Sequence, residues 1–276
     1  SLPGARWRHE RFGAIVALDE PPLLAHVDQE LAVNLGIPAS PLWSEPAREV
    51  LEGPVEAHLT VTKRCNLSCT HCYQDSNPAA GGTDLALAAW LPRLDALAAT
   101  GVFHVAIGGG EALTRADLMD IAAAARARGI TPNLTTNGSL VTADFAAAAA
   151  RLFGQINVSI DVLPPRRLFG TDKASDGLRA AALLVTAGAR VGVNLVVARG
   201  NFDALEEVVA WAAKAGLVEV ELLRLKPTGR AQVRYLEERL TREQRERLFP
   251  LALDLASRYG VPVKLDCSAA PFVAHH

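Results

Sequence analysis

Three of the four cysteines of this 276-residue chain lie close together, at Cys65, Cys69 and Cys72. A loop with C-x3-C-x2-C spacing can place three thiolates at three corners of a cubane iron–sulfur cluster. The fourth iron of such a cluster has no protein ligand and can bind another molecule. The spacing therefore predicts a 4Fe–4S cluster with one iron open to a ligand.

Two other interpretations of the cysteines stay open at this point. A zinc site needs a fourth ligand, which His58 or His71 could supply, although structural zinc sites are usually built from two separated ligand pairs. Unrelated core cysteines are the second alternative, but they are not expected to gather on one loop beside a strand. Lys63 and Arg64 precede the first cysteine, and we expect their charges to favour its thiolate form.

The overall composition restricts the class of protein. Four cysteines, three of them clustered, do not resemble the dense pattern of a secreted disulfide scaffold, so we expect a reducing, cytoplasmic location. The net charge of −2 gives no basic excess for binding nucleic acid. The apolar runs are too short for a membrane span, and we expect no membrane partner.

The segment Thr62–Tyr73, TKRCNLSCTHCY, resembles the C-x3-C-x-aromatic-C signature of the radical S-adenosylmethionine (SAM) superfamily, with His71 in the aromatic position. The resemblance implies that the cysteines hold a 4Fe–4S cluster and that SAM binds the open iron. It places His71 and Tyr73 among the cofactor-binding residues. It also implies that the reduced cluster cleaves SAM to a 5′-deoxyadenosyl radical, which abstracts a hydrogen atom from the substrate.

A glycine-rich segment ends the second predicted strand of the alternating region, at Gly108–Glu111. Adjacent glycines let a backbone approach a ligand closely, and a carboxylate accepts hydrogen bonds from an ammonium group. Such runs also occur as ordinary tight turns. The segment is similar to the family's Gly-Gly-Glu element, which implies that Gly109, Gly110 and Glu111 hold the amino group of SAM. Ala112 stands where the family usually has proline.

Polar residues follow the later strands in the same order as in the family. Thr-Asn-Gly, Ser-x-Asp and a strand asparagine all find counterparts, with Val162 in place of the usual glycine after Ser-x-Asp. Asn-Gly is also a common turn pair, and a lone strand asparagine is often an ordinary edge residue. The resemblance implies contacts to SAM from these residues: Asn137, Ser159, Asp161, Asn194 and Leu225.

Short β-branched runs alternate with Ala- and Leu-rich helical segments from residue 55 onward. Six such repeats predict βαβ units and a parallel sheet, and Thr114 and Thr142 are expected helix starts. Periodicity does not distinguish a doubly wound sheet from a partial barrel, but the resemblance implies a partial (β/α)6 TIM-like barrel. A ligand is expected at the carboxyl ends of the strands in either case. The predicted strands lie near 57–61, 102–107, 130–135, 155–160, 190–197, 217–225 and 261–266, and the predicted helices near 84–99, 115–128, 142–152, 175–187, 202–215 and 241–258.

Three segments are expected along the chain. Residues 1–50 form an N-terminal extension with a strand at 11–18 and a short helix at 29–35, which we expect to be a short β-α decoration. The alternative is part of a leader-peptide recognition module, which this extension weakly resembles. Residues 51–232 form the radical SAM core. Residues 233–276 contain a helix and a strand and begin an extension similar to the SPASM or Twitch type. In that extension Cys267 is a candidate ligand of an auxiliary 4Fe–4S cluster, or else a small core residue, and the chain would then be the front part of a longer protein.

The favoured function is radical SAM modification of a ribosomally made peptide. One alternative is the same chemistry on a small cofactor precursor of the tetrapyrrole or quinone type, and another is a non-catalytic iron–sulfur protein. The expected partners are a peptide substrate and a reductase such as flavodoxin or ferredoxin, without nucleic acid.

Overall fold

The computed structural model describes residues 4–20, 22–46, 48–170 and 173–269. The chain divides into two compact units. The first contains the chain up to His58 together with Leu85–Ala106 and Met119–Pro132, and the second contains Leu59–Asp84, Ile107–Leu118 and the chain from Asn133 onward. Every residue expected to bind the cluster or SAM lies in the second unit. The segment boundaries expected after residues 50 and 232 stay predictions.

The N-terminal part of the first unit is a three-stranded antiparallel sheet followed by a short helix. Asp28 caps this helix by accepting a hydrogen bond from the Leu31 amide at 2.8 Å. The sequence predicted the middle strand and the helix but missed the outer strands, whose alternation of buried and exposed residues is weak. The elements are β1 (Arg6–Glu10), β2 (Gly13–Leu18), β3 (Leu23–Asp28) and α1 (Gln29–Asn34).

A seven-stranded sheet has the strand order β10-β9-β8-β7-β6-β5-β4. Its pairs from β6 to β10 are parallel, so the predicted α/β class with a parallel sheet is confirmed. The six predicted strands and the last strand are all present. They are β4 (Glu56–Thr62), β5 (His104–Gly109), β6 (Thr131–Thr136), β7 (Ile156–Ser159), β8 (Val191–Val197), β9 (Glu219–Arg224) and β10 (Val263–Leu265).

Helices follow the strands where the helical spacing predicted them, with one addition. Thr142 caps α4 by accepting from the Phe145 amide at 3.2 Å, as expected. Thr114 does not start a helix, because it ends a 3-10 turn and donates its hydroxyl to the Glu111 carbonyl. The short helix α7 was not predicted. The helices are α2 (Leu87–Ala99), α3 (Leu118–Arg126), α4 (Ala143–Leu152), α5 (Lys173–Thr186), α6 (Leu205–Lys214), α7 (Ala231–Glu238) and α8 (Arg242–Tyr259).

The two faces of strands β7 and β8 differ in chemistry. Ile156, Val158 and Val193 are fully buried apolar residues on one face. Since side chains alternate along a strand, Asn157 and Asn194 occupy the opposite face, where the Asn157 side-chain amide donates to Asn194 Oδ1 at 2.8 Å. The sheet therefore has an apolar face that contributes to the core and a polar face that can meet a ligand. Among the described residues, none of the helices combines the length and the apolar character that a membrane span requires.

Candidate functional site

The three clustered cysteines lie on a loop directly after β4, and all three are reduced and partly exposed. Backbone N–H groups point at two of the sulfur atoms: the Leu67 amide donates to Cys65 Sγ at 3.4 Å and the Ser76 amide to Cys72 Sγ at 3.3 Å. Hydrogen bonds to sulfur stabilise thiolates and tune iron–sulfur clusters. The donor set and its surroundings therefore fit three thiolate ligands of a cluster.

Burial raises the pKa of the Cys65 thiol, and the nearby Glu111, Cys69 and Cys72 raise it further, against the Leu67 amide, which lowers it. That Lys63 and Arg64 favour the thiolate stays a prediction. The Arg64 guanidinium pairs with the Asp84 carboxylate at 3.0 Å. Within the described ranges, no three His, Cys, Asp or Glu side chains are grouped to hold a single metal ion.

The glycine-rich end of β5 is joined to the start of the cysteine loop. The Gly110 amide donates to the Thr62 carbonyl at 2.8 Å, and the Glu111 amide donates to the Arg64 carbonyl at 2.9 Å. A Cβ atom on Gly110 would lie 2.0 Å from the Arg64 carbonyl oxygen, and one on Gly109, at φ +133°, would lie 2.3 Å from that of Thr62. Both glycines are thus required for close contact between two backbones.

Glu111 is only 1% exposed, and its carboxylate joins the ends of β5 and β6. It accepts from Thr136 Oγ1 at 2.8 Å, from the Asn137 amide at 2.8 Å and from the Leu113 amide at 3.1 Å. All three donors are neutral. Burial raises the pKa of Glu111 against the lowering effect of these hydrogen bonds.

Asn137 extends this contact to the cysteines. Its side-chain amide donates to Asn66 Oδ1 at 3.0 Å and lies 4.0 Å from Cys65 Sγ. Its side-chain oxygen Oδ1 accepts from the Ser139 backbone amide at 2.9 Å. The Thr-Asn-Gly segment that the sequence singled out therefore fixes the loop around Cys65.

Asp161, after β7, occupies a different environment. It is 4% exposed and accepts from the Val196 amide at 2.9 Å, and Lys173 Nζ lies 2.6 Å from its other oxygen. Burial would raise the pKa of Asp161, but the Lys173 ammonium and His71 outweigh it, and the pKa is lowered. Sequence reasoning missed Lys173, because helical spacing alone does not distinguish it from a surface lysine.

His71 lies between the second and third cysteines, and its side chain, 10% exposed, lies beside Asp161. Its Nε2 is 3.8 Å from Asp161 Oδ2, and its ring centroid is 4.0 Å from that of Phe169. Burial lowers the pKa of His71 to about 4, so the ring is neutral at pH 7. The Thr70 amide donates to the Phe169 carbonyl at 3.1 Å, which ties the β7–α5 loop to the cysteine loop. Phe169 was not among the predicted site residues.

The segment after β9 contacts the other end of the cysteine loop. The Arg230 amide donates to the Cys72 carbonyl at 3.0 Å, and the Arg230 side chain reaches the Cys69 carbonyl. Lys226 Nζ lies 5.0 Å from the centroid of the Tyr73 ring, close enough for a cation–π contact. Arg230 too was missed by sequence reasoning.

The remaining predicted residues lie around this centre in different ways. Ser159 is paired in register with Asn194, which is 8% exposed and belongs to the polar face of the sheet. Leu225 is buried and lines an apolar pocket with Tyr235 and Leu248. Cys267 is exposed and begins a 3-10 turn after β10. The structure thus brings the three cysteines together with these residues: His71, Tyr73, Gly109, Gly110, Glu111, Asn137 and Asp161.

Comparison with known proteins identifies a family that covers the cysteine loop and most of the parallel sheet. The family model described as the radical SAM superfamily matches residues 59–212. The mycofactocin maturase MftC of Mycolicibacterium smegmatis is 30% identical over 204 residues, which are 72% of this chain and 52% of that protein. The PqqA peptide cyclase of Streptomyces rochei is 30% identical over 188 residues, 67% of this chain and 50% of that protein. The chain spans about half the length of these curated relatives.

Solved structures share the fold at low sequence identity. Streptococcus suis SuiB bound to SAM superposes with a TM-score of 0.75 at 15% identity, covering 96% of this chain and 72% of that chain. SuiB bound to its precursor peptide SuiA gives 0.75 at 16% identity, covering 98% and 74%. At this identity the likeness establishes the fold alone.

Proposed function

This chain belongs to the radical SAM superfamily, since the family model covers more than half of its length, and we propose from that premise that it is an enzyme that cleaves SAM to modify a ribosomally made peptide. In this family a 4Fe–4S cluster and SAM together supply an electron and a 5′-deoxyadenosyl radical that abstracts hydrogen. The observation that carries the proposal is the cysteine loop, with its backbone donors on Cys65 and Cys72.

Each part of the site has a task in this proposal. Cys65, Cys69 and Cys72 hold the cluster, and the amides of Leu67 and Ser76 stabilise negative charge on the sulfurs. Gly109, Gly110 and Glu111 hold the amino group of SAM. The residues proposed to line the rest of the SAM site are His71, Tyr73, Asn137, Ser159, Asp161, Asn194 and Leu225.

His71 and Phe169 are proposed to limit the access of water to this centre. Phe169 packs on His71, and both side chains are largely buried. A reactive radical requires such exclusion, because side reactions with solvent would consume it. His71 is neutral at pH 7, so it contributes a flat apolar surface and adds no charge to the centre.

A peptide is the proposed substrate. MftC is a maturase, the Streptomyces rochei protein is a peptide cyclase, and SuiB was crystallised with a precursor peptide. The N-terminal sheet supports the same conclusion, since β3 is an edge strand that exposes Leu23 and Leu24. An extended leader peptide can add to such an edge through main-chain hydrogen bonds.

The proposal also covers the parts of a complete enzyme. Cys267 would be a ligand of an auxiliary 4Fe–4S cluster in a SPASM-type extension, because it is exposed beyond the last strand. A reductase such as flavodoxin or ferredoxin would reduce the cluster in the cytoplasm.

The proposal is tested by anaerobic reconstitution with iron and sulfide, reduction by dithionite and chromatography of 5′-deoxyadenosine after addition of SAM. Production by the wild type and none by a Cys65→Ala, Cys69→Ala, Cys72→Ala variant is expected. Equal production by both proteins would contradict the proposal. The peptide substrate is tested by mass spectrometry of short peptides encoded beside the gene, where an unchanged mass for every candidate would contradict it.

A further inference from the structure

Arg230, the residue before α7, makes four polar contacts with the cysteine loop. Its Nε donates to the Cys69 carbonyl at 3.0 Å, and one terminal nitrogen donates to the Ser76 carbonyl at 2.6 Å. The other terminal nitrogen lies 2.7 Å from a carboxylate oxygen of Asp75. The Arg230 amide adds the bond to the Cys72 carbonyl at 3.0 Å. One residue therefore holds the loop from its second cysteine to beyond its third.

The neighbouring backbone shows how closely this segment is pressed against the loop. A Cβ atom on Gly229, at φ +60°, would lie 2.5 Å from the carbonyl oxygens of both Cys72 and Tyr73. On the loop side, Asp75 adopts φ +58°, a left-handed conformation that is uncommon for residues other than glycine. Arg230 binds the carboxylate of this same Asp75, so the ion pair helps to stabilise the uncommon left-handed backbone conformation.

A hydrogen-bonded chain connects Arg230 to a sulfur atom. Arg230 binds the Ser76 carbonyl, and the Ser76 amide donates to Cys72 Sγ at 3.3 Å. Outer partners of metal ligands orient those ligands and change metal affinity and reduction potential. A lysine at this position could not make the same three side-chain contacts, because it lacks the planar guanidinium group that donates to three acceptors in fixed directions.

We propose that Arg230 is a positioning residue of the cluster: it holds the backbone from Cys69 to Ser76 so that Cys69 and Cys72 present their sulfurs to iron and Ser76 keeps its amide on Cys72. The inference rests on the proposed cluster at the three cysteines. It adds a function for the β9–α7 connection, which lies more than 150 residues after the cysteines in the chain.

The test compares Arg230→Met, Arg230→Lys and a matched control, Arg234→Met, after anaerobic reconstitution. Arg234 lies one turn further along α7, and its surface pairs with Glu237 and Glu238 are both 3.3 Å long. The readouts are the rate of iron loss to a chelator and the midpoint potential from an EPR-monitored redox titration. Circular dichroism and thermal melts of the metal-free proteins report folding.

Arg230→Met is expected to lose iron about ten-fold faster than wild type, the lower end of what outer-partner changes cost in metal affinity. Its midpoint potential is expected to become more negative, since loss of the cation and of the N–H to sulfur bond destabilises the reduced cluster. Arg230→Lys keeps the positive charge, so its midpoint potential should stay close to that of wild type. It lacks the planar guanidinium that contacts several acceptors, so its rate of iron loss should differ more from wild type. Arg234→Met should match wild type.

A second variant keeps the inference testable if Arg230→Met does not fold. Asp75→Asn removes the negative charge from one of the four contacts and keeps a residue that tolerates a left-handed conformation. It is expected to lose iron faster than wild type and more slowly than Arg230→Met. Wild-type iron loss and potential in both Arg230→Met and Asp75→Asn would overturn the inference and leave the proposed function standing. A wild type that forms no cluster would overturn both.

Discussion

Two buried carboxylates near the cysteine loop, Glu111 after β5 and Asp161 after β7, differ in how their charge is stabilised. Glu111 accepts hydrogen bonds from three neutral donors, and burial raises its pKa. Asp161 is paired with the Lys173 ammonium at 2.6 Å, and its pKa is lowered. The Glu111 region is a hydrogen-bonded junction between β5 and β6, whereas the Asp161 region is a buried ion pair. Residues that look alike as sequence motifs thus depend on different physical interactions.

The comparison has a consequence for cofactor binding. The Glu111 hydrogen bonds involve neutral partners, so an arriving ammonium group would add the positive charge that this carboxylate lacks. Asp161 already has a cation, and a second one nearby would compete with Lys173. We therefore propose the Glu111 region, and not the Asp161 region, as the acceptor for the amino group of SAM, in line with the Gly-Gly-Glu resemblance.

The largest expected effect on the free energy of unfolding comes from removing the cation of the Lys173–Asp161 ion pair. Lys173→Met leaves the Asp161 charge buried without its partner, which should lower the free energy of unfolding by about 3–5 kcal/mol. Chemical denaturation of the metal-free protein measures this. Lys214→Met, at an exposed position ending α6, serves as the control and should stay within about 0.5 kcal/mol of wild type. A loss no larger than that of the control would show that the Lys173–Asp161 contact does not hold in solution.

A smaller loss of stability is expected at Glu111, whose hydrogen-bond donors are neutral. Glu111→Gln keeps the shape but turns one end of the carboxylate into an N–H donor, which would face the Asn137 amide or the Thr136 hydroxyl. The cost is about 1–3 kcal/mol for an unsatisfied buried group. Glu246→Gln, on a surface pair with Arg242, is the control and should change stability little. If Glu111→Gln lost more stability than Lys173→Met, the expectation that the ion pair contributes more than the neutral hydrogen bonds would be contradicted.

The pH dependence sharpens the comparison, because the two pKa shifts have opposite signs. Glu111 has a raised pKa, so the folded state binds the proton more tightly, and wild type should lose stability relative to Glu111→Gln as pH rises above the ordinary value of 4.5. Asp161 has a lowered pKa, so wild type should lose its advantage over Asp161→Asn as pH falls below 3.8. Urea unfolding at a series of pH values gives both slopes. Slopes of the same sign would remove the distinction between the two carboxylates.

The features of this site that depend on short sequence motifs could be predicted from the sequence. The cysteine spacing, the glycines and the order of strand ends all depend on short segments, and the structure brings Cys65, Glu111 and Asn137 together as that order implied. The structure adds a second reason for the glycines, since Gly109 and Gly110 also make room for the backbone of the cysteine loop itself.

Other contacts could not be predicted because they depend on how distant segments pack. Lys173 reaches Asp161 only through the path of the β7–α5 loop, and Arg230 reaches Cys69 across 161 positions of the chain. The helix α7 is only eight residues long, and its apolar Val233 and Leu236 are exposed, so it lacks the core-facing apolar stripe of the longer helices. In each case the local sequence resembles an ordinary surface segment.

The most direct test of the central claim is the EPR spectrum of the reduced, reconstituted protein with and without SAM, together with its iron and sulfide content. The account predicts four iron atoms per cluster held by Cys65, Cys69 and Cys72, and a spectrum that changes when SAM is added, because one iron is open to it. A cluster whose spectrum ignores SAM, or iron and sulfide retained in full by the variant lacking all three cysteines, would contradict it.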